Sequence, residues 1–371
     1  MNKKELKDNI AAVAIGLITT VVLLEIIFRT VLPAAQLPES TYDATYHIPK
    51  FVPGEGHYTI GKFCEKAGQW HINDQGWNSP YNYITDNRKK IAIIGDSYIE
   101  AFQVDVEKSV GPVVQSFAPE QFQVMSFGTS GAPLSQYLQL SRYVTQVFKP
   151  EILVLNLVHN DFDESVADKH LRKTYLRYLK INDSLFVEDS IEKSPKASLL
   201  SRVLNSTATG RYLLHNLKIH KMDITSLFKS KPLTDTTSFN ANVDVKKIHT
   251  QQQAIRKVTE LILLQFKKEF PSVRLILMID GLRKEIYDNM PPGESNIVWM
   301  NTMVKELAIQ QHIEFIDLTE AFAADYQKNK KAFEFSYDWH WNEHGHRIAA
   351  EALYQQLLLK QTNHVRHHRI L

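Results

Sequence analysis

Five short apolar runs, at 90–95, 123–127, 152–158, 273–279 and 313–318, stand well apart along the chain. Runs of this length, rich in branched aliphatic residues, suit strands buried on both faces, as in a parallel sheet. Helical periodicity fills the gaps between them. Leu134, Tyr137, Leu138, Val144, Val147 and Phe148 share one face of a helix, and Ile255, Val258, Ile262 and Phe266 share another. Stretches 298–308 and 348–358 add two more helices. Strands alternating with helices predict parallel pairing, right-handed crossovers and a sheet covered on both faces. The interval 163–245 breaks this alternation with Lys, Ser, Thr and scattered Leu and Tyr. Structureless loops of that length are uncommon in compact domains, so a partly helical insertion is expected there.

The N-terminus has a different pattern. Residues 10–28 read IAAVAIGLITTVVLLEIIF, nineteen positions with Glu25 as the single charge. A membrane-spanning helix needs about 20 apolar residues. Lys3, Lys4 and Lys7 precede the segment and only Arg29 comes closely after it, which by the positive-inside bias places the N-terminus in the cytoplasm. A cleaved signal peptide has a shorter apolar region and an A-x-A-like site, of which 32–35 (LPAA) is a poor version. A buried helix of a soluble protein is the third alternative. The organisation expected is a cytoplasmic tip at 1–8, an anchor at 9–31 and an extracytoplasmic lead-in at 32–87. A catalytic domain at 88–361, carrying the insertion at about 163–247, and a tail at 362–371 complete it.

Composition narrows the class without choosing a function. Of 371 residues, 44% are hydrophobic and 23% charged, values that exclude collagen-like and largely disordered chains. The formal charge of +2 and the lack of any long basic run give no sign of nucleic-acid binding. The single cysteine, Cys64, excludes an intramolecular disulfide framework and a Cys-rich zinc module.

In an open α/β sheet ligands bind at the carboxyl ends of the strands, so the residues just past each apolar run are the first place to look for chemistry. Gly95-Asp96-Ser97 ends the first run, Gly128 to Gly131 the second, and His159-Asn160-Asp161 the third. Near the C-terminus lie Asp338, Trp339, His340, Trp341 and Asn342. A serine hydroxyl becomes an effective nucleophile only when a base, usually histidine, takes its proton. The imidazole in turn needs a carboxylate, here Asp338, to fix its tautomer. Acyl transfer builds an oxyanion, and losing one donor to it costs on the order of 10²–10³ in rate. The N–H groups of Ser97 and Gly131 and the side-chain amide of Asn160 supply three donors.

This order of blocks resembles the SGNH (GDSL-type) hydrolase superfamily over roughly 89–360, the insertion excepted. The resemblance implies a flavodoxin-like three-layer α/β sandwich with a five-stranded parallel sheet, and esterase, lipase, thioesterase, deacetylase or O-acyltransferase activity. It implies Ser97 as nucleophile and oxyanion donor, Gly131 and Asn160 as further donors, His340 as base and Asp338 as its orienting acid. The Asp-x-His-Trp stretch at 338–341 is similar to alginate O-acetyltransferase-like proteins, and 73–77 to an Asn-x-x-Gly-aromatic stretch of bacterial envelope members. The chain departs from the family in four places. Ala101 and His159 stand where glycine is common, Ser126 where asparagine is, and Asp338 and His340 are two apart where three is usual.

Each block has a plainer reading. Asp96 or Ser97 can simply cap a helix, Asn160 can satisfy a turn, and Gly128 is expected to be structural. His340, His344 and His346 with Asp338 and Glu343 suggest a metal site, but they lie at the entry to a helix where the imidazoles need not converge; no metal or cofactor is expected. His364, His367 and His368 read as a solvated basic tail. His159 and Trp341 are expected to touch substrate, with one of Trp339 and Trp341 used for packing. The whole points to an inner-membrane, periplasmic-facing enzyme acting on an acylated carbohydrate or other ester, with no nucleic-acid partner. A non-catalytic glycan-binding protein and a lipase or thioesterase are the alternatives.

Overall fold

The computed structural model describes residues 3–64, 66–166, 175–180, 186–188, 198–217, 219, 239–240, 243–336 and 338–367. Much of the expected insertion, and residues 368–371 of the expected tail, including His368, lie outside the described residues, as do the side chains of His364 and His367. The chain forms two compact units: one of 1–37, 56–69 and 195–234, the other of 38–55, 70–194 and 235–371.

The larger unit is built on five parallel strands, β1 (Lys89–Gly95), β2 (Phe122–Gly128), β3 (Ile152–Leu157), β4 (Arg274–Ile279) and β5 (Glu314–Asp317). Their order is β5-β4-β3-β1-β2, so the chain starts in the interior, moves to one edge and then crosses to the other. That is the flavodoxin-like order, and its switch point lies between β1 and β3. Alternate residues of each strand enter opposite cores. Ala92, Ile94, Met125, Phe127, Leu153 and Leu155 meet helices α4 (Leu134–Val147), α6 (Gln252–Glu269) and α7 (Val298–Gln310) on one face. Ile91, Ile93, Val124, Ile152, Val154 and Met278 meet α3 (Val110–Phe117), α8 (Leu318–Asn329) and α9 (Glu343–His367) on the other. Burial on both sides explains why these strands read as continuous apolar runs.

The edge strand β2 has outward polar groups that the lead-in and α3 satisfy. The Tyr81 hydroxyl donates to the Val124 carbonyl at 2.9 Å, and the Tyr83 hydroxyl donates to the Ser126 carbonyl at 2.8 Å while accepting from the Ser126 N–H at 3.0 Å. Gln115 accepts from Val124 N–H and donates to the Phe122 carbonyl. An edge closed by side chains cannot recruit another strand.

The smaller unit is organised by α1 (Lys3–Thr30), a helix long and apolar enough to cross a membrane. Its apolar side chains are exposed along most of its length, Ile15 and Ile18 among them.

Candidate active site

Glycine geometry brings the turn that carries Ser97 to the sheet. β1 ends at Gly95, opposite Gly128 of β2, and the short helix α2 (Ser97–Glu100) begins two residues later. A Cβ on Gly128 would stand 1.9 Å from Glu100 N and 2.4 Å from Ile99 C, so α2 rests on β2 only because position 128 has no side chain. The Asp96 carboxylate caps α2, accepting from Tyr98 N–H at 2.9 Å. Ala101 closes α2 in the left-handed region, φ +54°, a conformation that favours glycine.

Ser97 Oγ lies 2.7 Å from His340 Nε2. His340 Nδ1 donates to Asp338 Oδ1, and the His340 N–H donates to the same oxygen at 3.0 Å. The two-residue spacing is what this geometry needs. Asp338–Trp341 is an extended segment paired with Glu334–Phe335, and in extended chain residues two apart share a face. Carboxylate and imidazole therefore sit side by side, where a wider spacing would need a turn. A second acceptor competes for the serine hydrogen, since Asp96 Oδ2 is 3.2 Å from Ser97 Oγ. One hydroxyl hydrogen serves one acceptor at a time: directed to His340 it is aligned for transfer, directed to Asp96 it is idle.

The expected oxyanion donors lie at the carboxyl ends of neighbouring strands. Gly131 comes after β2 with φ +70° and open space around its α-carbon. Its loop is tied to β1 and α2: Thr129 N–H donates to the Gly95 carbonyl at 3.1 Å, and Ser130 N–H and hydroxyl both donate to the Glu100 carboxylate. Asn160 opens helix α5 (Asn160–Glu164) after β3, and its amide donates to Glu164 Oε1 at 3.3 Å. An amide carries two hydrogens, so this contact leaves a second one.

Two substrate-contact expectations are corrected. Trp341 is fully buried, its Nε1–H donates to Asp280 Oδ1 at 2.9 Å, and its indole packs against Tyr98 and Phe322; of the two tryptophans it is the packing residue, and Trp339 is the exposed one. His159 is also buried, with Nε2 at 2.8 Å from Asn301 Oδ1, so its ring belongs to the core. The other imidazoles diverge. His344 pairs with Asp325 at 2.6 Å and stacks on Phe333, while His346 is buried beside Trp341 and burial, then the charge of His340, pushes it down to about 3. Among the described residues no group of three His, Cys, Asp or Glu is placed to hold a metal.

Behind His340 lies a buried network that no sequence motif announces. Arg283 Nη1 donates to the Trp339 carbonyl at 2.8 Å and to Glu334 at 2.9 Å; Nη2 donates to the Tyr98 hydroxyl at 2.8 Å and to Asp280 at 2.9 Å. The Tyr98 hydroxyl itself donates to the Trp339 carbonyl at 2.8 Å. Tyr98 neighbours Ser97 and Trp339 lies between Asp338 and His340, so one guanidinium ties the two halves of the candidate site together. Burial alone would lower the Arg283 pKa, but the charges of Asp280, Tyr98 and Glu334 more than offset it. Burial raises Asp96 and Asp161, and it raises Glu100 to about 7.

No protein-family model and no curated protein matches the chain. Solved structures similar to it include a member of the lipolytic G-D-S-L family from Veillonella parvula, 12% identical, with TM-score 0.38 over 72% of this chain and 97% of that one. A lipase/acylhydrolase from Enterococcus faecalis is 14% identical, TM-score 0.38, over 72% and 95%. A catalytic mutant of an acetylxylan esterase from Geobacillus stearothermophilus is 16% identical, TM-score 0.37, over 74% and 95%. None of these three is an alginate O-acetyltransferase-like protein, and that part of the resemblance rests on 338–341 alone. At such identities and scores, the chemistry open to this chain is read from its own residues: a serine, an imidazole and a carboxylate in hydrogen-bonded series at the carboxyl edge of a flavodoxin-like sheet.

Proposed function

We propose that the chain is a membrane-anchored serine esterase or O-acyltransferase of the SGNH type, facing the periplasm and acting on acyl, most simply acetyl, esters of an envelope or extracellular carbohydrate. The observation that carries the chemistry is the Ser97–His340–Asp338 series. Ser97 Oγ attacks the acyl carbon as its proton passes to His340 Nε2, and Asp338 stabilises the imidazolium. The carbonyl oxygen becomes an oxyanion that takes hydrogen bonds from Ser97 N–H, Gly131 N–H and the Asn160 amide. The C–O bond to the alcohol then breaks, and the alkoxide receives the proton held by His340. This leaves acyl-Ser97 and a free alcohol. In the second half His340 deprotonates water, releasing the carboxylic acid, or a sugar hydroxyl, giving a new ester. The two outcomes use the same residues and differ only in which hydroxyl reaches the acyl carbon.

The location rests on α1 and on Lys3, Lys4 and Lys7 at its start. An outward-facing tether favours a glycoconjugate over a cytosolic thioester. The test uses the full-length protein in detergent with 4-nitrophenyl acetate, comparing it with Ser97→Ala. Acetate release lost with that one oxygen supports serine acyl chemistry; equal background in both forms refutes it and favours a glycan-binding role.

A further inference from the structure

The smaller unit contains an arrangement that acyl chemistry does not use. Near its end α1 is gripped by the segment 207–216. The Glu25 carboxylate accepts from the N–H groups of Ala208 and Thr209, each at 2.9 Å, and from the Thr209 hydroxyl at 3.0 Å, while Arg29 donates to it at 2.8 Å. Phe28 stacks on Tyr212 with ring centroids 3.8 Å apart. The Tyr212 hydroxyl donates to the Lys62 carbonyl, and Ala35 N–H donates to Asn216 Oδ1 at 3.0 Å.

Two surface elements are thereby fixed beside the end of α1. One is the turn carrying Phe63, adjacent to Lys62, with Phe63 61% exposed. The other is the helix Leu199–Ser206, which leads through Thr207 straight into the turn that Glu25 caps. On a helical projection Leu199, Leu200, Val203 and Leu204 fall within an arc of about 140°, with Ser201, Arg202, Asn205 and Ser206 opposite. Leu199 and Leu200 are 70% and 68% exposed, so the apolar face is turned outward.

The level of these elements is set by α1. At about 1.5 Å per residue the apolar run 10–28 is close to the ~30 Å hydrocarbon core, which puts Glu25 within about 5 Å of its outer boundary. A carboxylate is costly in hydrocarbon, and here it is met by backbone amides and Arg29. Exposed apolar residues on a helix that runs directly into the turn bonded to Glu25, with Arg202 on the helix's polar side, match an interfacial element.

Resting on the reading that α1 spans the bilayer, we propose that helix Leu199–Ser206 and Phe63 form a second membrane contact. The helix lies along the outer lipid surface with Leu199, Leu200 and Val203 among the acyl chains and Arg202 among the headgroups. The same contacts make α1 a retained part of a folded unit, where a cleaved leader would leave Phe28, Tyr212 and the amides of Ala208 and Thr209 without partners.

The test places the full-length Cys64→Ser protein in vesicles of equal parts phosphatidylcholine and phosphatidylglycerol. An environment-sensitive fluorophore is attached at Leu200→Cys, Asn205→Cys or Ile18→Cys, and each is read against lipids doxyl-labelled near the headgroup or near the chain end. The proposal expects quenching at 200 by the shallow quencher about twofold or more above that at 205, and quenching at 18 by the deep quencher. Equal, weak quenching at 200 and 205 with strong quenching at 18 overturns the surface contact and leaves the anchor standing. A blue-shifted probe at 200 that no doxyl lipid quenches means a protein covers the face, which also overturns it. An unquenched probe at 18 removes the anchor reading itself. Glu25→Ala should lower quenching at 200 without changing that at 18.

Discussion

Replacing Arg283 with glutamine should damage stability and catalysis together. The side chain is 4% exposed and its partner Asp280 2%, so the substitution strands a carboxylate that water cannot reach. It also removes one donor each from Glu334, the Tyr98 hydroxyl and the Trp339 carbonyl. Breaking a buried pair by removing one partner costs about 3–5 kcal/mol. The catalytic effect comes through Trp339. Its carbonyl lies between Asp338 and His340, and a shift of about 1 Å in the base can cost on the order of 10²-fold in rate. Urea unfolding gives the first quantity, and kcat for 4-nitrophenyl acetate, measured well below the unfolding midpoint, gives the second. Arg283→Lys keeps the charge but cannot reach four acceptors with a planar fork, so it should recover more stability than rate. Arg274→Gln is the control. Arg274 is paired with Glu314 at the amino end of β4, 18% exposed and away from the site, so it should lose stability with kcat intact. If Arg283→Gln unfolds more easily yet turns over at the native rate, the guanidinium does not position the base.

Four further substitutions probe separate parts of the reasoning. Gly128→Ala should unfold or severely destabilise the protein, because the new methyl group meets the α2 backbone at 1.9 Å; Gly131→Ala, with open space at φ +70°, should cost only about 1–2 kcal/mol. Calorimetry distinguishes them. Asn160→Ala should lower kcat on the order of 10²–10³, with little change in KM for a small ester. Glu100, raised to about 7 from 4.5, stays protonated in the folded state at pH values where the unfolded chain has already lost that proton. Its contribution therefore makes stability fall as pH rises from about 4.5 to about 7 and flatten above, by about 3 kcal/mol at most. Glu100→Gln should flatten that slope in urea titrations across this range, and an unchanged slope would refute the assignment.

The sheet was legible in the sequence because double-sided burial writes itself as short continuous apolar runs, and the observed strands begin and end within a few residues of them. The order of the first three chemical blocks was legible for a related reason: each lies just past a strand, where backbone must turn, whereas Asp338 and His340 lie in an extended segment of their own beyond α8. Helix α8 was missed because its apolar residues, Leu318 and Phe322 among them, are interleaved with Thr, Glu, Asp and Lys and come directly after β5. Arg283 could not be read at all. It lies among polar residues, and the carbonyl it holds is 56 positions away. Glu100 has the sequence context of a solvated acid on a short helix, yet Ser130, 30 residues on, gives it a partner that lets it stay buried. His159 and Trp341 were misassigned because proximity in sequence to a catalytic residue says nothing about which face a side chain takes. Trp341 is next to His340 in an extended segment, and alternation sends its indole to the opposite side, into the core.

An accumulation of acids at this rim looks opposed to the proposed chemistry, which would form an oxyanion near Asp96, Glu100 and Asp161. Burial resolves the conflict. It raises all three, so a neighbourhood that would be strongly anionic in water is held toward neutrality. The negative charge that remains favours the imidazolium that His340 becomes during transfer, and His340 in turn lowers Asp96 and Glu100. The balance depends on Glu100, which also grips the Ser130 N–H and hydroxyl next to Gly131. As pH rises through about 7 its carboxylate ionises, placing a charge one residue from Gly131, a proposed oxyanion donor. That charge opposes formation of an oxyanion there and lowers the rate. A wild-type rate that falls as pH passes about 7, and a Glu100→Gln rate that does not share this fall, would show that this buried acid limits the pH range, and identical profiles would refute it.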